Sequence, residues 1–372
     1  MILRFILLIA VAVLVLGGAN WFVLFSLGRL FLIRSFSTKV VIAVLILSIT
    51  FGFLIISAIS RITENQIVKY LYIISSILIG VWVFVLFSLI IAWIIVGALH
   101  LFGIYTGRKI ITWAMLFLAL VYSAYNIYNA YNIKIKNISI PMKNLPDFWK
   151  GKKIIQLSDV HLGNINGADF MQKVADLTNA QKPDAIVITG DLFDGMDGNL
   201  TPLIAPLNSL KAPEGIYYVT GNHEIYLGLD KVLQIISQTD IQFIDDRVVH
   251  KDGLQFAGIS YGQDLQPQDI KSILEADKNY DKNMPTVLLY HIPLPSKIEE
   301  AQQMGVDLQL SGHTHVGQLL PFKLITEIVY KGYDYGLHKI GDFYEYTSSG
   351  VGTWGPPMRS GNNPEIVSIT LE

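Results

Sequence analysis

Long uncharged apolar runs fill the first third of the chain, and short apolar segments alternate with polar ones in the rest. The uncharged runs cover residues 5–28, 40–60, 70–107 and 110–133. Because roughly 20 apolar residues cross a bilayer as a helix, these runs predict four transmembrane helices. The first run is too long for a usual signal peptide, and Gly17-Gly18-Ala19 is a poor cleavage site. A retained span is therefore favoured over a cleaved leader.

From residue 132 onward, strand-like segments alternate with amphipathic helices such as 169–181 and 200–210. This alternation predicts a buried sheet with helices outside. The chain should thus have a transmembrane domain of four helices at 1–131 and an α/β domain at 132–372. The expected strands are 153–157, 185–189, 216–220, 254–259, 286–290, 308–310, 344–346 and 366–371.

Composition separates the same two parts. The chain is 52% hydrophobic and only 16% charged. Residues 1–131 hold eight basic residues and one acidic residue, Glu64, whereas the remainder holds 20 basic and 29 acidic residues. An acidic second part without clustered Lys or Arg argues against a nucleic-acid partner. The chain has no cysteine, so any metal must bind to nitrogen and oxygen ligands.

Basic residues near the spans bear on orientation. Loops one and three carry five of them, and the N-terminus with loop two carries three. The positive-inside rule then places loops one and three in the cytoplasm, and both termini and the second domain outside it. Lys134 and Lys136, just after the fourth run, level the count at five each and leave the opposite orientation open.

The spans themselves favour an anchor over a transporter, because they contain no Asp, Glu, Lys or Arg of the kind that marks an ion pathway. A three-residue repeat of tyrosines ends the fourth run. We interpret it as an aromatic belt at the membrane surface, with a ligand-binding stripe as the alternative. The repeat consists of Tyr122, Tyr125, Tyr128 and Tyr131.

Polar clusters follow five of the predicted strands. Each supplies Asp, Asn or His, whose nitrogen and oxygen donors suit divalent cations. A single Asp-x-His or Gly-Asp is commonly a turn, but five of the eight histidines fall at strand ends, which indicates a metal site. His100, His250 and His338 do not fit this pattern and are expected to be structural or surface residues. The clusters contain Asp159 and His161, Asp191, Asn222 with His223 and Glu224, His291, and His313 with His315.

This series of motifs resembles the calcineurin-like metallophosphoesterase superfamily, from about residue 154 to the C-terminus. Gly317-Gln318 and the segment 350–359 are similar to the branch with small N-terminal membrane anchors. Val316 departs from that branch, which usually has Gly there. The resemblance therefore implies the ligand set but does not fix the backbone conformation of this loop.

The resemblance implies a four-layer α/β/β/α sandwich and two divalent metal ions, Mn, Fe or Zn. It assigns Asp159, His161 and His315 to one metal, and Asn222, His291 and His313 to the other. Asp191 would bridge the two. Such a pair clamps phosphoryl oxygens and lowers the pKa of a bound water, so that hydroxide becomes the nucleophile.

Three neighbouring residues have expected roles outside the ligand set. His223 directly follows a ligand and could reach the leaving-group oxygen, which suggests a general acid or a stabiliser of the transition state. Glu224 either orients His223 or lies in a solvated turn. Asp194 is expected to brace the loop at Gly190 and not to bind metal.

The expected function is hydrolysis of a phosphate ester, whether phosphodiester, monoester or pyrophosphate. The anchor suggests a membrane-associated or lipid-linked substrate and contact with membrane lipid. The alternative is a non-catalytic membrane scaffold that uses the hydrolase fold to bind partners.

Overall fold

Four long helices form the N-terminal part of the chain. The computed structural model describes residues 2–63, 65–195 and 199–372, so Glu64 lies outside the described residues. Each helix is long and apolar enough to cross a membrane, as the sequence predicted. They are α1 (Ile2–Leu30), α2 (Phe36–Ser60), α3 (Gln66–Leu101) and α4 (Arg108–Ala130).

The ends of these helices follow local chemistry. Ser35 and Asn65 cap α2 and α3 with side-chain oxygens that accept backbone amides of the first turn. The third uncharged run extends to residue 107, but α3 ends at Leu101, because Gly103 and Gly107 adopt the left-handed conformation that breaks a helix. Residues 1–128 and 355–357 form one compact unit, called the helical unit below.

The second unit, called the sheet unit, comprises residues 129–354 and 358–372 and contains two six-stranded sheets. The first sheet has the order β1-β12-β2-β3-β4-β5 and the second has the order β10-β11-β9-β8-β7-β6. The strands of the first are β1 (Lys134–Ile140), β2 (Lys153–Leu157), β3 (Ala185–Thr189), β4 (Ile216–Val219), β5 (Gln242–Phe243) and β12 (Glu365–Leu371). Those of the second are β6 (Arg247–Lys251), β7 (Leu254–Ile259), β8 (Thr286–Tyr290), β9 (Leu308–Ser311), β10 (Gly336–Ile340) and β11 (Phe343–Thr347).

Most neighbouring strands are parallel, and the exceptions are β12 with β2, β10 with β11, and β6 with β7. Helices cover both outer faces: α5 (Ala168–Ala180), α6 (Ile204–Leu207) and α8 (Leu229–Ile236) pack on the first sheet, and α9 (Ile270–Ala276) and α10 (Pro295–Met304) pack on the second. The other helices of this unit are α7 (Asn222–Leu227) and α11 (Lys323–Val329), and α11 has no buried residue. Short 3-10 helices span Asp147–Trp149 and Thr201–Leu203, and His315–Gly317 is a turn whose residues have positive φ.

Alternate residues of each strand enter different hydrophobic cores, as the two-residue period of a strand requires. On β3, Ile186 and Ile188 pack against α5 and α8, whereas Ala185 and Val187 face the second sheet. On β8, Val287 and Leu289 face the first sheet, and Leu288 packs with α9 and α10. The four-layer α/β/β/α class is therefore confirmed.

The helix predicted at 200–210 is shorter than expected. The segment forms the 3-10 helix Thr201–Leu203 followed by the single turn of α6. Pro202 and Pro206 lie inside it, and a proline has no amide to donate to the helix. The strands β1, β5, β6 and β10 were not predicted.

Candidate metal centre

The polar clusters that follow the strands converge at one edge of the two sheets. Asp159 and His161 follow β2, Asp191 follows β3, and Asn222 begins α7 directly after β4. From the second sheet, His291 follows β8, while His313 and His315 follow β9. Ligands gather at the carboxyl ends of parallel strands, and here the ends of two sheets contribute together.

Three groups of donor atoms result, each with atoms within 4.8 Å of one another. Two of them share no residue: the first contains Asp159, His161 and His315, and the second contains Asp191, His291 and His313. A third group, His161, Asp194 and His223, overlaps the first. Asp191 also lies between the first and second groups, because its Oδ2 is 3.2 Å from Nε2 of His291 and 3.9 Å from Nε2 of His161.

Imidazole nitrogens face one another within the first and second groups. Nε2 of His161 is 2.9 Å from Nε2 of His315, and Nδ1 of His313 is 3.1 Å from Nε2 of His291. Burial, the largest effect, lowers the pKa of His313 to about 3, so this imidazole is neutral. A neutral imidazole offers a lone pair to a cation, as a metal ligand must.

Asp191 and His291 carry opposite charges, and Oδ2 of Asp191 lies 3.2 Å from Nε2 of His291. Burial alone would raise the pKa of Asp191, but the positive charges of His291 and His223 hold it well below its usual range. Burial would likewise lower the pKa of His291, but the Asp191 charge raises it to about 9. Both side chains are buried, so their charges act through a medium that screens them weakly.

Hydrogen bonds outside the groups orient the rings. Nδ1 of His291 donates to the carbonyl oxygen of Thr189 at 2.8 Å, which leaves Nε2 to face the centre. Nδ1 of His161 lies 3.5 Å from Oδ1 of Asp194 on the side away from His315. The Asp194 carboxylate thus contacts His161 and belongs to the third group of possible ligands, while its bracing of the loop at Gly190 stays a prediction.

The residues fit a divalent metal. Oδ1 of Asn222 is buried and has no hydrogen-bond partner among the described residues, although a buried amide oxygen normally has one. Together with the carboxylates and imidazoles, it forms a set of hard and borderline donors suited to Mn, Fe or Zn.

The backbone at the centre has an unusual conformation. Five of the predicted ligands have positive φ, between 47° at His315 and 71° at His313, and the other three are Asp159, His161 and Asp191. Such residues are uncommon and concentrate at functional sites. Val316, which replaces the usual Gly, also has a φ of 53° and is buried. The loop therefore retains the glycine-like conformation with a β-branched side chain.

His223 stands beside the first group. Its ring centroid is 4.5 Å from that of His161, and its Nδ1 donates to the carbonyl oxygen of Asp194 at 2.7 Å. Its Nε2 is therefore free to act on a bound molecule. The side chain is partly exposed, unlike most of the predicted ligands.

Two residues of the site had no predicted contact with the ligands. Glu224 is fully buried and is not a solvated turn residue, and its carboxylate accepts backbone amides instead of orienting His223. Arg359 is fully buried too, with Nη2 3.0 Å from Nδ1 of His315 and 2.7 Å from the carbonyl oxygen of Gly352. A lone arginine in a Gly-rich and Pro-rich segment was the only signal for it.

The remaining histidines lie elsewhere. His250 is exposed on β6 and His338 lies on β10, as expected for structural or surface residues. His100 is exposed in the last turn of α3.

Comparison with known proteins identifies the family. Residues 152–317 match the family model described as calcineurin-like phosphoesterase. An uncharacterized metallophosphoesterase of Aquifex aeolicus is 34% identical over 264 residues, which are 69% of this chain and 98% of that protein. An uncharacterized metallophosphoesterase of Helicobacter pylori strain J99 is 35% identical, and the match covers 64% of each chain.

A relative from Danio rerio is named transmembrane protein with metallophosphoesterase domain. It is 29% identical over 273 residues, which are 69% of this chain and 62% of the relative. The match thus spans just under two thirds of the length of the Helicobacter and Danio relatives. With four apolar helices preceding the two sheets, the chain is a membrane protein that belongs to the calcineurin-like metallophosphoesterase family.

Proposed function

We propose that this protein hydrolyses phosphate esters at a centre of two divalent metal ions, with residues 1–131 as its membrane anchor and 132–372 as its hydrolase domain. The observation that carries the proposal is the pair of donor groups that share Asp191 as a neighbour. Asp159, His161 and His315 would hold one metal, and Asn222, His291 and His313 the other. When bound, the two cations would neutralise phosphoryl oxygens and acidify a nearby water.

The remaining residues of the site supply orientation and a proton. Asp191 lies where it could contact both metals, and its Oδ1 accepts the backbone amide of His223 at 2.9 Å. This bond fixes the start of α7 relative to the ligands. With Nδ1 held by Asp194, His223 can present a proton from Nε2 to the leaving-group oxygen.

Metal content and hydrolysis of bis(4-nitrophenyl) phosphate, measured together on the detergent-purified full chain, test this proposal. We expect about two metals per chain and activity that collapses in Asp191→Asn. Asp307→Asn is the matched control, because Asp307 lies at the opposite end of β9 and its carboxylate accepts the Thr286 amide. Full metal loading without turnover of any phosphate ester would instead favour the scaffold function.

We further propose that the substrate is membrane-associated or lipid-linked and that the hydrolase domain lies on the non-cytoplasmic side. The four apolar helices support the first point, because they hold the domain at a bilayer. The excess of basic residues in loops one and three supports the second. Equal turnover of a lipid-linked and a water-soluble phosphodiester with the same leaving group would contradict the lipid preference.

A further inference from the structure

The helical unit contains a cavity of about 880 Å³ that is separate from the candidate metal centre. It is lined by the C-terminal half of α1, the loop that follows, the first turn of α2, the second half of α3 and the first residue of α4. Its volume is within the range of about 300–1,000 Å³ that small-molecule sites occupy. The cavity is therefore large enough to admit part of a ligand.

Four cationic side chains line this cavity, those of Arg29, Arg34, Lys39 and Arg108. Among the described residues, none of the four has a hydrogen-bond or ion-pair partner. The only acidic residue before position 132 is Glu64, between α2 and α3 in the sequence. The four cations instead lie at the end of α1, in the loop that follows, in the first turn of α2 and at the start of α4. Their positive charge is thus uncompensated by the described residues of the helical unit and favours an anion.

Aromatic side chains form an apolar wall next to these charges. The Phe25 ring stacks between Trp21 and Trp93, with centroid distances of 5.3 Å and 6.0 Å. The guanidinium of Arg29 lies 5.6 Å from the Phe25 centroid. A free inorganic anion would neutralise the cations but leave the aromatic wall uncovered. An amphiphile would neutralise the cations with its head group and cover the wall with its apolar part.

We propose that the cavity binds a phospholipid with an anionic head group, its phosphate on the cations and its acyl chain against the Trp21, Phe25 and Trp93 wall. Basic clusters beside transmembrane helices attract anionic lipids. Insertion topology alone also places basic residues in membrane loops, but it requires neither a cavity nor an aromatic wall beside them. The proposal does not depend on hydrolysis at the metal centre.

Thermal unfolding of the detergent-purified full chain tests the proposal. Phosphatidylglycerol, phosphatidylcholine with the same acyl chains, and inorganic phosphate are titrated separately. Phosphatidylglycerol alone should raise the Tm. In Arg29→Gln/Arg108→Gln its affinity should fall about 30-fold, the effect expected for two lost lipid contacts. Arg61→Gln/Lys69→Gln is the control. It removes the same charge next to the connection between α2 and α3, away from the residues that line the cavity, and should leave the affinity unchanged.

A second pair of variants keeps every charge. Gly28 lines the cavity, and a Cβ at this position would meet only Lys39, at 3.9 Å. Gly28→Leu should therefore fill the space and abolish the Tm shift. Gly52→Leu makes the same change in α2 where nothing lies within 4 Å, and it should have no effect. If the arginine variant does not fold, the comparison of Gly28→Leu with Gly52→Leu still tests the proposal.

Three results would overturn the proposal. An equal shift with inorganic phosphate would mean a simple anion site, and an equal shift with phosphatidylcholine would mean no recognition of charge. Equal loss of affinity in both charge-removal variants would mean diffuse surface attraction.

Discussion

The carboxylate of Glu224 accepts the backbone amide of Asp191 at 2.9 Å. It also accepts the amides of Gly221 at 2.7 Å and Phe193 at 2.9 Å. One buried side chain thereby joins the loop after β3 to the loop after β4. Gly221 must remain glycine for this approach, since a Cβ there would overlap the Asp191 carboxylate.

Replacement of Glu224 by Gln should therefore weaken metal binding without removing a ligand. The amide group of Gln presents a donor to one of the backbone amides, so one hydrogen bond is lost and a repulsive contact is made. Loss of such supporting contacts typically costs about 10- to 100-fold in metal affinity. Metal titration of the full chain measures this, with the exposed Glu327→Gln as control. Unchanged affinity in Glu224→Gln would contradict the supporting role.

His223→Ala should reduce kcat by about 10²–10⁴-fold for a phosphodiester with an alkyl leaving group. The loss should be much smaller with a 4-nitrophenyl leaving group, which departs without a proton. Metal content should stay as in the wild type, because His223 is not among the proposed ligands. His250→Ala, on the exposed part of β6, is the control. A loss that is equal for both leaving groups would exclude a general acid and leave a positioning role.

Glu345 should make stability depend on pH. It is fully buried on β11, opposite Gln309 and His338 of the adjacent strands. Burial raises its pKa well above the usual range, and the hydrogen bond from Thr347 offsets this only in part. Between the unfolded pKa of about 4.3 and the folded pKa, the native state alone holds the proton. Stability should therefore fall as pH rises, by up to about 1.4 kcal/mol per pH unit.

Glu345→Gln has no proton to lose, so the Tm of this variant should rise relative to that of the wild type as the pH increases above about 5. Differential scanning calorimetry of the full chain at several pH values measures the difference. Glu327→Gln should follow the wild type at every pH. Parallel Tm curves for Glu345→Gln and the wild type would show that Glu345 does not titrate in this window.

Membrane orientation can be tested because the chain has no cysteine. Single cysteines at Ser37, after α1, and at Gln303, on α10, are both exposed positions. In intact cells, an impermeant maleimide should label Gln303→Cys and spare Ser37→Cys, whereas lysis should expose both. The reverse pattern would place the hydrolase domain in the cytoplasm.

The sequence predicted the convergence of the metal-binding side chains, because Asp159, Asp191 and His291 each follow a strand with clear apolar residues. It did not predict the contacts that support them. Arg359 contacts His315 from 44 positions away, and two of the three amides that Glu224 accepts, those of Asp191 and Phe193, lie on a separate loop. Such contacts depend on how loops fold over the sheet edge. The hydrophobic periodicity of the sequence does not predict loop conformation. The strand β1 was missed because its mostly exposed residues directly follow an apolar helix.

The last strand has a consequence for how the protein is made. β12 lies inside the first sheet, paired with β1 on one side and β2 on the other, yet it follows every other strand of that sheet along the chain. During synthesis β1 and β2 therefore wait with unpaired edges until Glu365–Leu371 has left the ribosome. Unpaired edges invite association with other chains. Loss of β12 alone should therefore produce an aggregating membrane protein and not a folded one that merely lacks a strand.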